Sequence, residues 1–188
     1  MSEMEDWALV ERAQAGDLDA FAQLMSRYQR PVIHFCYRML YSEQDAEDIA
    51  QEVFIRLHRY LARLTPQAKF STMLFGISRN LCLNHIRDMK RRGRGMGQSL
   101  DSQPELVSTG SIPSHEAQLK ELEGRIADAM ATLSAEHRMV LHLREIEGLD
   151  YEAISEIMKC RKGTVKSRLA RAREQLRQLL INQGDDLL

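Results

Sequence analysis

The side chains best suited to chemistry in this sequence are positive. In "GTVKSRLARARE", residues 163 to 174, Lys166, Arg168, Arg171 and Arg173 recur with no acid until Glu174, and Arg161 and Lys162 stand just ahead. From Lys159 to Arg177 eight bases meet one acid. A second stretch, Leu64 to Gly97, carries Lys69, Arg79, Arg87, Lys90, Arg91, Arg92 and Arg94 against Asp88 alone. The whole chain nevertheless has a formal net charge of −1, because residues 1–63 and 98–156 are acidic. Charge segregated in this way suits two contacts with one polyanion. A single basic helix is as readily explained by a solvated face, so the second stretch matters.

Catalytic groups do not converge anywhere. His34, His58, His85, His115, His137 and His142 are scattered, and no two are three or four residues apart. His137 and His142 are five apart and point to different faces of a helix. No Gly-rich phosphate loop or serine-nucleophile signature is present. The histidines read as surface or partly buried structural residues, so neither an enzyme, a metal site nor a cofactor is expected. Cys36, Cys82 and Cys160 are an odd set without a CxxC pair, which disfavours a disulfide framework or a zinc site. Each lies in an apolar-patterned segment and reads as a small buried hydrophobe.

The elements that must position these bases are helical. Ala46, Ile49, Ala50, Val53, Phe54, Leu57 and Leu61 follow the three-then-four spacing of one buried helix face. Leu18, Phe21, Leu24, Met25, Tyr28 and Val32 repeat it upstream, with Asp17 as N-cap. Phe70, Met73, Leu74, Ile77 and Leu81 open a third helix that runs into "HIRDMKRR". No stretch alternates with period two. Residues 93–115 are dominated by Gly, Ser, Pro and Gln and read as a flexible linker. An all-α protein of two small helical domains is expected, 1–92 and 116–188. The smaller draws its core from Leu119, Leu122, Ile126, Met130, Leu133, Val140, Leu141, Ile154, Ile157, Val165, Leu169 and Leu176. No apolar run is long enough for a membrane span and the acidic N-terminus lacks signal-peptide character, so a cytoplasmic location is expected.

In the second domain, Ser134 caps a helix that stops at Gly148, Asp150 caps "YEAISEIM", "KCRK" turns, and Gly163-Thr164 opens the last helix. A short helix, a tight turn and an amphipathic helix form a helix-turn-helix, whose second helix enters the DNA major groove. Val165, Leu169, Ala172 and Leu176 fall on one stripe. The remaining circumference carries Thr164, Lys166, Ser167, Arg168, Arg171 and Arg173, types that reach base edges and phosphates.

Three segments, "DAEDIAQEVFIRLHRYL", "FSTMLFGISRNLCLNHIRDMKRR" and "LREIEGLDYEAISEIMKCRKGTVKSRLARAREQLR", together resemble the extracytoplasmic-function group of bacterial sigma factors, the promoter-recognition subunits of RNA polymerase. The resemblance covers Asp17 to Leu180. It implies a first domain that binds core RNA polymerase and opens the promoter −10 element, and a second that reads the −35 element. By position, Asp45, Asp48, Gln51 and Glu52 match the polymerase contact. "ARLTPQAKF", residues 62–70, matches the loop that captures a flipped base, and Lys69, Phe70, Ser71, Arg79, Asn80, Asn84, Arg87, Lys90 and Arg91 fall on the −10 and strand-separating surface. Arg161, Lys162, Thr164, Lys166, Ser167, Arg168 and Arg171 fall on the −35 reader. Met73 stands where the family usually has Trp, and Asn84 where it has Asp. The resemblance further implies promoter DNA and an anti-sigma factor as partners, with a free monomer. The alternative is a conventional helix-turn-helix regulator whose first domain senses a ligand or dimerises; it leaves the Leu64–Gly97 bases unexplained.

Overall fold

The computed structural model describes residues 3–66, 68–96 and 115–185. These are helical, with no strand among them. Helices α1 (Glu3–Gln14), α2 (Leu18–Leu40), α3 (Glu43–Tyr60) and α4 (Phe70–Met96) form the first unit. Helices α5 (His115–Thr132), α6 (Ala135–Leu141), α7 (Tyr151–Met158) and α8 (Lys162–Asp185) form the second, with a π-helical turn at His142–Ile146 after α6. Most of the expected linker lies outside the described residues, and α4 runs on through Met96.

Local chemistry sets the boundaries. Asp17 accepts the Ala20 N–H and caps α2, and Ser42 accepts the Asp45 N–H and caps α3. Tyr41 ends α2 in the left-handed region at φ 55°. The buried face of α2 is Ala20, Leu24, Tyr28, Val32, Phe35, Cys36 and Met39; that of α3 is Ala46, Ala50, Val53, Phe54 and Leu57. The two helices pack broadly on each other and on α4, whose Phe70, Leu74 and Phe75 enter the same core.

Helix α1 follows from no expectation stated above. Leu9, Val10 and Ala13 face the core, and Asp6, 3% exposed, bonds the Tyr28 hydroxyl at 2.6 Å and pairs with Arg27. A buried carboxylate is tolerable because both oxygens are engaged.

In the second unit Met130, Leu133, Val140, Leu141, Ile154, Ile157, Val165 and Leu169 are buried as expected, and Leu176 is partly so. Leu122 and Ile126 are exposed instead. Helix α5 packs mainly against α8, with Arg138 of α6 donating to its Ala131 carbonyl at 2.8 Å. Leu119 lies outside the described side chains.

The two units share one core. Helix α7 packs along α4, α6 meets α2, and a single apolar cluster runs from Leu9 to Ala172. Across this seam the Phe35 ring meets His142 edge-on at 5.4 Å. Arg138 donates to the Met39 carbonyl at 3.2 Å and lies 4.9 Å over the Tyr41 ring. His142 is fully buried, with Nε2 3.1 Å from Glu147, which corrects the expectation of a surface or partly buried histidine.

Candidate nucleic-acid interface

The helix-turn-helix is built by short-range bonds. Asp150 accepts the Ala153 N–H at 2.8 Å and caps α7; that bond, aided by Lys69, holds its carboxyl below the usual range. Lys159 closes α7 in the left-handed region at φ 51°. The Arg161 carbonyl accepts the Thr164 and Val165 amides, so α8 starts at Lys162, one residue earlier than expected. Val165, Leu169 and Ala172 are buried and anchor α8 along one stripe, and the opposite face is open.

The expected −35 residues divide by what they touch. Arg161 and Arg171 are exposed and pair with no acid among the described residues. Lys166 is exposed and lies 5.8 Å from the Tyr151 ring centre. Ser167 bonds the Thr164 carbonyl, and Thr164 is half-buried at the start of the helix. Lys162 is paired with Glu152. Arg168 is only 25% exposed and pairs with Glu136 at 2.8 Å, so it is not the open base its position on the wheel suggested.

On the first unit, the loop between α3 and α4 is held from behind by α1. Gln14 Nε2 donates to the Leu61 and Leu64 carbonyls at 2.8 and 2.9 Å, and Trp7 Nε1 donates to the Ala68 carbonyl at 3.1 Å. The Leu61 carbonyl also accepts the Leu64 N–H at 3.1 Å, and the side chains of α1 give the Leu64 and Ala68 carbonyls a partner. Phe70 is 0% exposed, wedged between Trp7 and Tyr28 at ring distances of 6.2 and 5.2 Å. That placement corrects its assignment to the DNA surface: the aromatic ring begins α4 from inside the core and supports the loop.

Lys69 lies at the loop's edge, 3.3 Å from Asp150. Ser71, Arg79 and Asn80 are half-buried, and the Arg79 guanidinium donates to the Asn80 side chain at 3.1 Å. Burial lowers the Arg79 pKa from its ordinary value, while Glu136 across the seam favours its charge. Asn84, Arg87, Lys90 and Arg91 are exposed further along α4, with Arg91 held to Asp88 at 2.6 Å. Met73 is partly buried against the core, which fits a gap-filling thioether.

The acidic helix is partly committed. Asp45 lies 3.5 Å from His85 Nε2, and Glu52 accepts from Arg56 at 2.7 Å. Asp48 and Gln51 are exposed and unengaged by side chains among the described residues. Gln51 borders a cleft of about 670 Å³ between α2 and α3 that is also lined by Phe21, Met25, Phe54 and Ile55. An apolar cleft rimmed by acid and amide groups fits a helical partner. Among the described residues, no cluster of three metal-ligating side chains exists and no helix is long and apolar enough to cross a membrane.

A basic helix-turn-helix and a basic stretch along α4 give one chain two positive helical surfaces, the form suited to a polyanion. Residues 24–92 match sigma-70 region 2, and residues 123–176 match sigma-70 region 4. The ECF RNA polymerase sigma-E factor of Haemophilus influenzae is 37% identical over 180 residues, covering 93% of this chain and 94% of that protein. The sigma factor SigW of Bacillus subtilis is 34% identical over 177 residues, covering 91% and 94%. Among solved structures, the sigma factor RpoE of Bartonella quintana, in complex with the anti-sigma factor NepR, is similar with a TM-score of 0.63 at 26% identity, covering 85% of this chain and 96% of that one. The chain belongs to the ECF group of RNA polymerase sigma factors. With both regions matched in order, the conventional-regulator alternative gives way.

Proposed function

We propose that this sigma factor divides its work between the two units as their surfaces suggest. Residues 1–92 bind core RNA polymerase and open the −10 element, and residues 116–188 read the −35 element. The observation that carries the reading is the face of α8: it is fixed by one apolar stripe and presents Arg161, Lys166 and Arg171 outward from the start of a helix-turn-helix recognition helix. Lys162, Thr164, Ser167 and Arg168 line the same end and join the contact once their internal partners yield. Base-edge contacts from arginine specify sequence, and hydroxyl and ammonium contacts to phosphate set register.

On the first unit, Lys69, Ser71, Arg79 and Asn80 hold the separated strand beside the loop, and Asn84, Arg87, Lys90 and Arg91 extend the positive track along α4. Opening a step costs a few kcal/mol, and capture of the displaced base and backbone offsets it. No nucleotide is consumed by such a mechanism, so the protein acts as a binding factor and not as an enzyme. The polymerase contact is Asp48 and Gln51 with the α2/α3 cleft, joined by Asp45 and Glu52. The protein works in the cytoplasm as a monomer when free, and an anti-sigma factor restrains it, as the complexes solved for its relatives suggest.

Binding of the full chain to core polymerase, read by fluorescence anisotropy, tests this division. Asp48→Lys with Gln51→Lys is expected to weaken binding more than tenfold while the circular dichroism spectrum stays unchanged. Unaltered affinity in that variant would remove the proposed contact.

A further inference from the structure

One positive surface lies outside the two basic stretches. In "RLHRYLAR", residues 56–63, three arginines and a histidine meet no acid, although residues 1–63 are acidic overall. Leu57 and Leu61 are buried and fix the orientation of this end of α3. At helical spacing Arg56, Arg59 and Tyr60 then fall together on the outward side. Leu61–Arg63 continue α3 as a 3-10 turn. That geometry eclipses side chains three residues apart, so Arg63 stands over Tyr60. His58 turns the other way and meets Phe21 edge-on at 5.2 Å.

Four of the five tyrosines are committed: Tyr28 packs on Phe70, Tyr37 and Tyr41 on each other, and Tyr151 against Arg144 and Lys166. Tyr60 is 55% exposed, and its ring meets no other ring or cation among the described residues. Arg59 and Arg63 are exposed and pair with no acid among the described residues, whereas Arg56 is tied to Glu52 at 2.7 Å. The ring buries little surface and the two charges lack partners, so this group adds little to folding. It offers a face for stacking and two guanidiniums for phosphate.

The group stands at the α3 end of the loop, and Lys69 stands at the α4 end. Gln14 holds the Leu61 and Leu64 carbonyls from α1, which fixes the turn that carries Arg63. A strand with one base in this loop has a nucleotide on each side of it. One neighbour meets Lys69, Ser71 and Asn80, and the other leaves over the end of α3.

We propose that Arg59, Tyr60 and Arg63 form a second hold on the separated strand: Tyr60 stacks on an unpaired base next to the captured one, and Arg59 and Arg63 hold the flanking phosphates. The proposal rests on the reading of residues 62–70 as the loop that captures a base. The ligand is single-stranded DNA of any sequence, because every base has a face on which an aromatic ring stacks. An acidic protein segment would suit the two arginines but leaves the exposed ring without a role.

The test uses the full chain bound to core polymerase, with core polymerase alone as the baseline. The probe is a fluorescein-labelled duplex whose non-template strand is unpaired over a segment of randomised sequence, read by anisotropy. Tyr60→Ala is expected to weaken binding about tenfold, within the range for one base–aromatic stack. Tyr60→Phe should stay within twofold. Tyr60→Leu, which keeps apolar surface but no aromatic face, should fall with Tyr60→Ala; wild-type affinity in Tyr60→Leu would overturn the stacking role. Arg59→Gln with Arg63→Gln is expected to reduce the slope of log affinity against log salt by about 1.4, the change for two phosphates on a single strand.

Wild-type affinity in Tyr60→Ala, together with weak binding by Asn80→Ala, would overturn the proposal and leave the loop reading intact. If both variants match wild type, or wild type matches core polymerase alone, the loop reading falls and the proposal with it. Weaker assembly of the arginine variant with core polymerase, at unchanged affinity for the unpaired strand, would make the surface a polymerase contact and overturn the proposal as well.

Discussion

Replacing Gln14 with Glu tests how α1 supports the loop proposed to capture the separated strand. The native amide donates two bonds, 2.8 Å to the Leu61 carbonyl and 2.9 Å to the Leu64 carbonyl. Glutamate is isosteric but turns an acceptor toward two acceptors. Each lost bond costs about 0.5–1.5 kcal/mol net, and a carboxylate at the C-terminal residue of α1 adds about 0.3–1 kcal/mol. Gln14 is exposed, so the lower half of the range applies, about 1.5–2 kcal/mol. At about 2–4 °C per kcal/mol for a chain of this size, the melting midpoint falls by roughly 3–8 °C. The functional consequence is of similar size, because the loop that Gln14 holds is the one proposed to receive the flipped base. Promoter opening, read by permanganate reactivity of unpaired thymines, is expected to fall about tenfold (about 1.4 kcal/mol), with core polymerase binding within twofold. Gln14→Met, which removes the donor without adding charge, should produce about three quarters of both effects. An unchanged melting midpoint and unchanged opening in Gln14→Glu would refute the claim that α1 positions the loop.

Other expectations follow from single contacts. Arg171→Ala touches no internal partner among the described residues, so it should leave stability within about 0.5 kcal/mol while weakening −35 duplex binding by about 1–3 kcal/mol if Arg171 reads a base; full promoter-specific transcription by this variant would count against the α8 reading. Asp6→Asn breaks the buried pair with Arg27 and should cost about 3–5 kcal/mol in urea unfolding; a loss under about 1 kcal/mol would show that the pair is not desolvated. The Asp150 carboxyl is held below its ordinary value first by the Ala153 N–H. Its contribution is therefore present above the unfolded value and lost as pH falls through the folded one. Below about pH 4, the wild type should lose stability more steeply than Asp150→Asn; parallel acid limbs would contradict that. Cys36 and Cys82 are buried, and the Cys82 thiol is pushed up by its bond with Cys36 and by burial. A thiol reagent at neutral pH should modify Cys160 alone before denaturation, and rapid reaction of all three would show an open core.

The parts legible in the sequence are those fixed by local rules. The periodicity at Ala46–Leu61 and the caps at Asp17, Ser134 and Asp150 depend on neighbours within a turn, and each stands where the spacing placed it. The stripe Val165, Leu169 and Ala172 was equally local, since burial on an anchored helix follows from its wheel. What escaped depends on distant residues. Phe70 fits an exposed DNA-facing position by family register, yet Trp7 of α1 packs on its ring from 63 positions away. Arg168 looks open on the wheel until Glu136 is folded beside it. The seam was illegible for the same reason: His142 and Phe35 carry no mark in sequence that joins them. Helix α1 did have a signal, since Leu9, Val10 and Ala13 repeat at helical spacing, but it was short and lay in an acidic stretch.

The central claim is that this chain confers promoter choice on core RNA polymerase through two DNA surfaces. Its most direct test is transcription of genomic DNA by purified core enzyme with and without the full chain, with transcript 5′ ends mapped by sequencing. The account predicts a defined set of new start sites sharing two upstream elements at fixed spacing, absent with core enzyme alone and lost with Asp48→Lys, Gln51→Lys. A folded chain that binds core polymerase yet yields no start sites beyond those of core enzyme would contradict it.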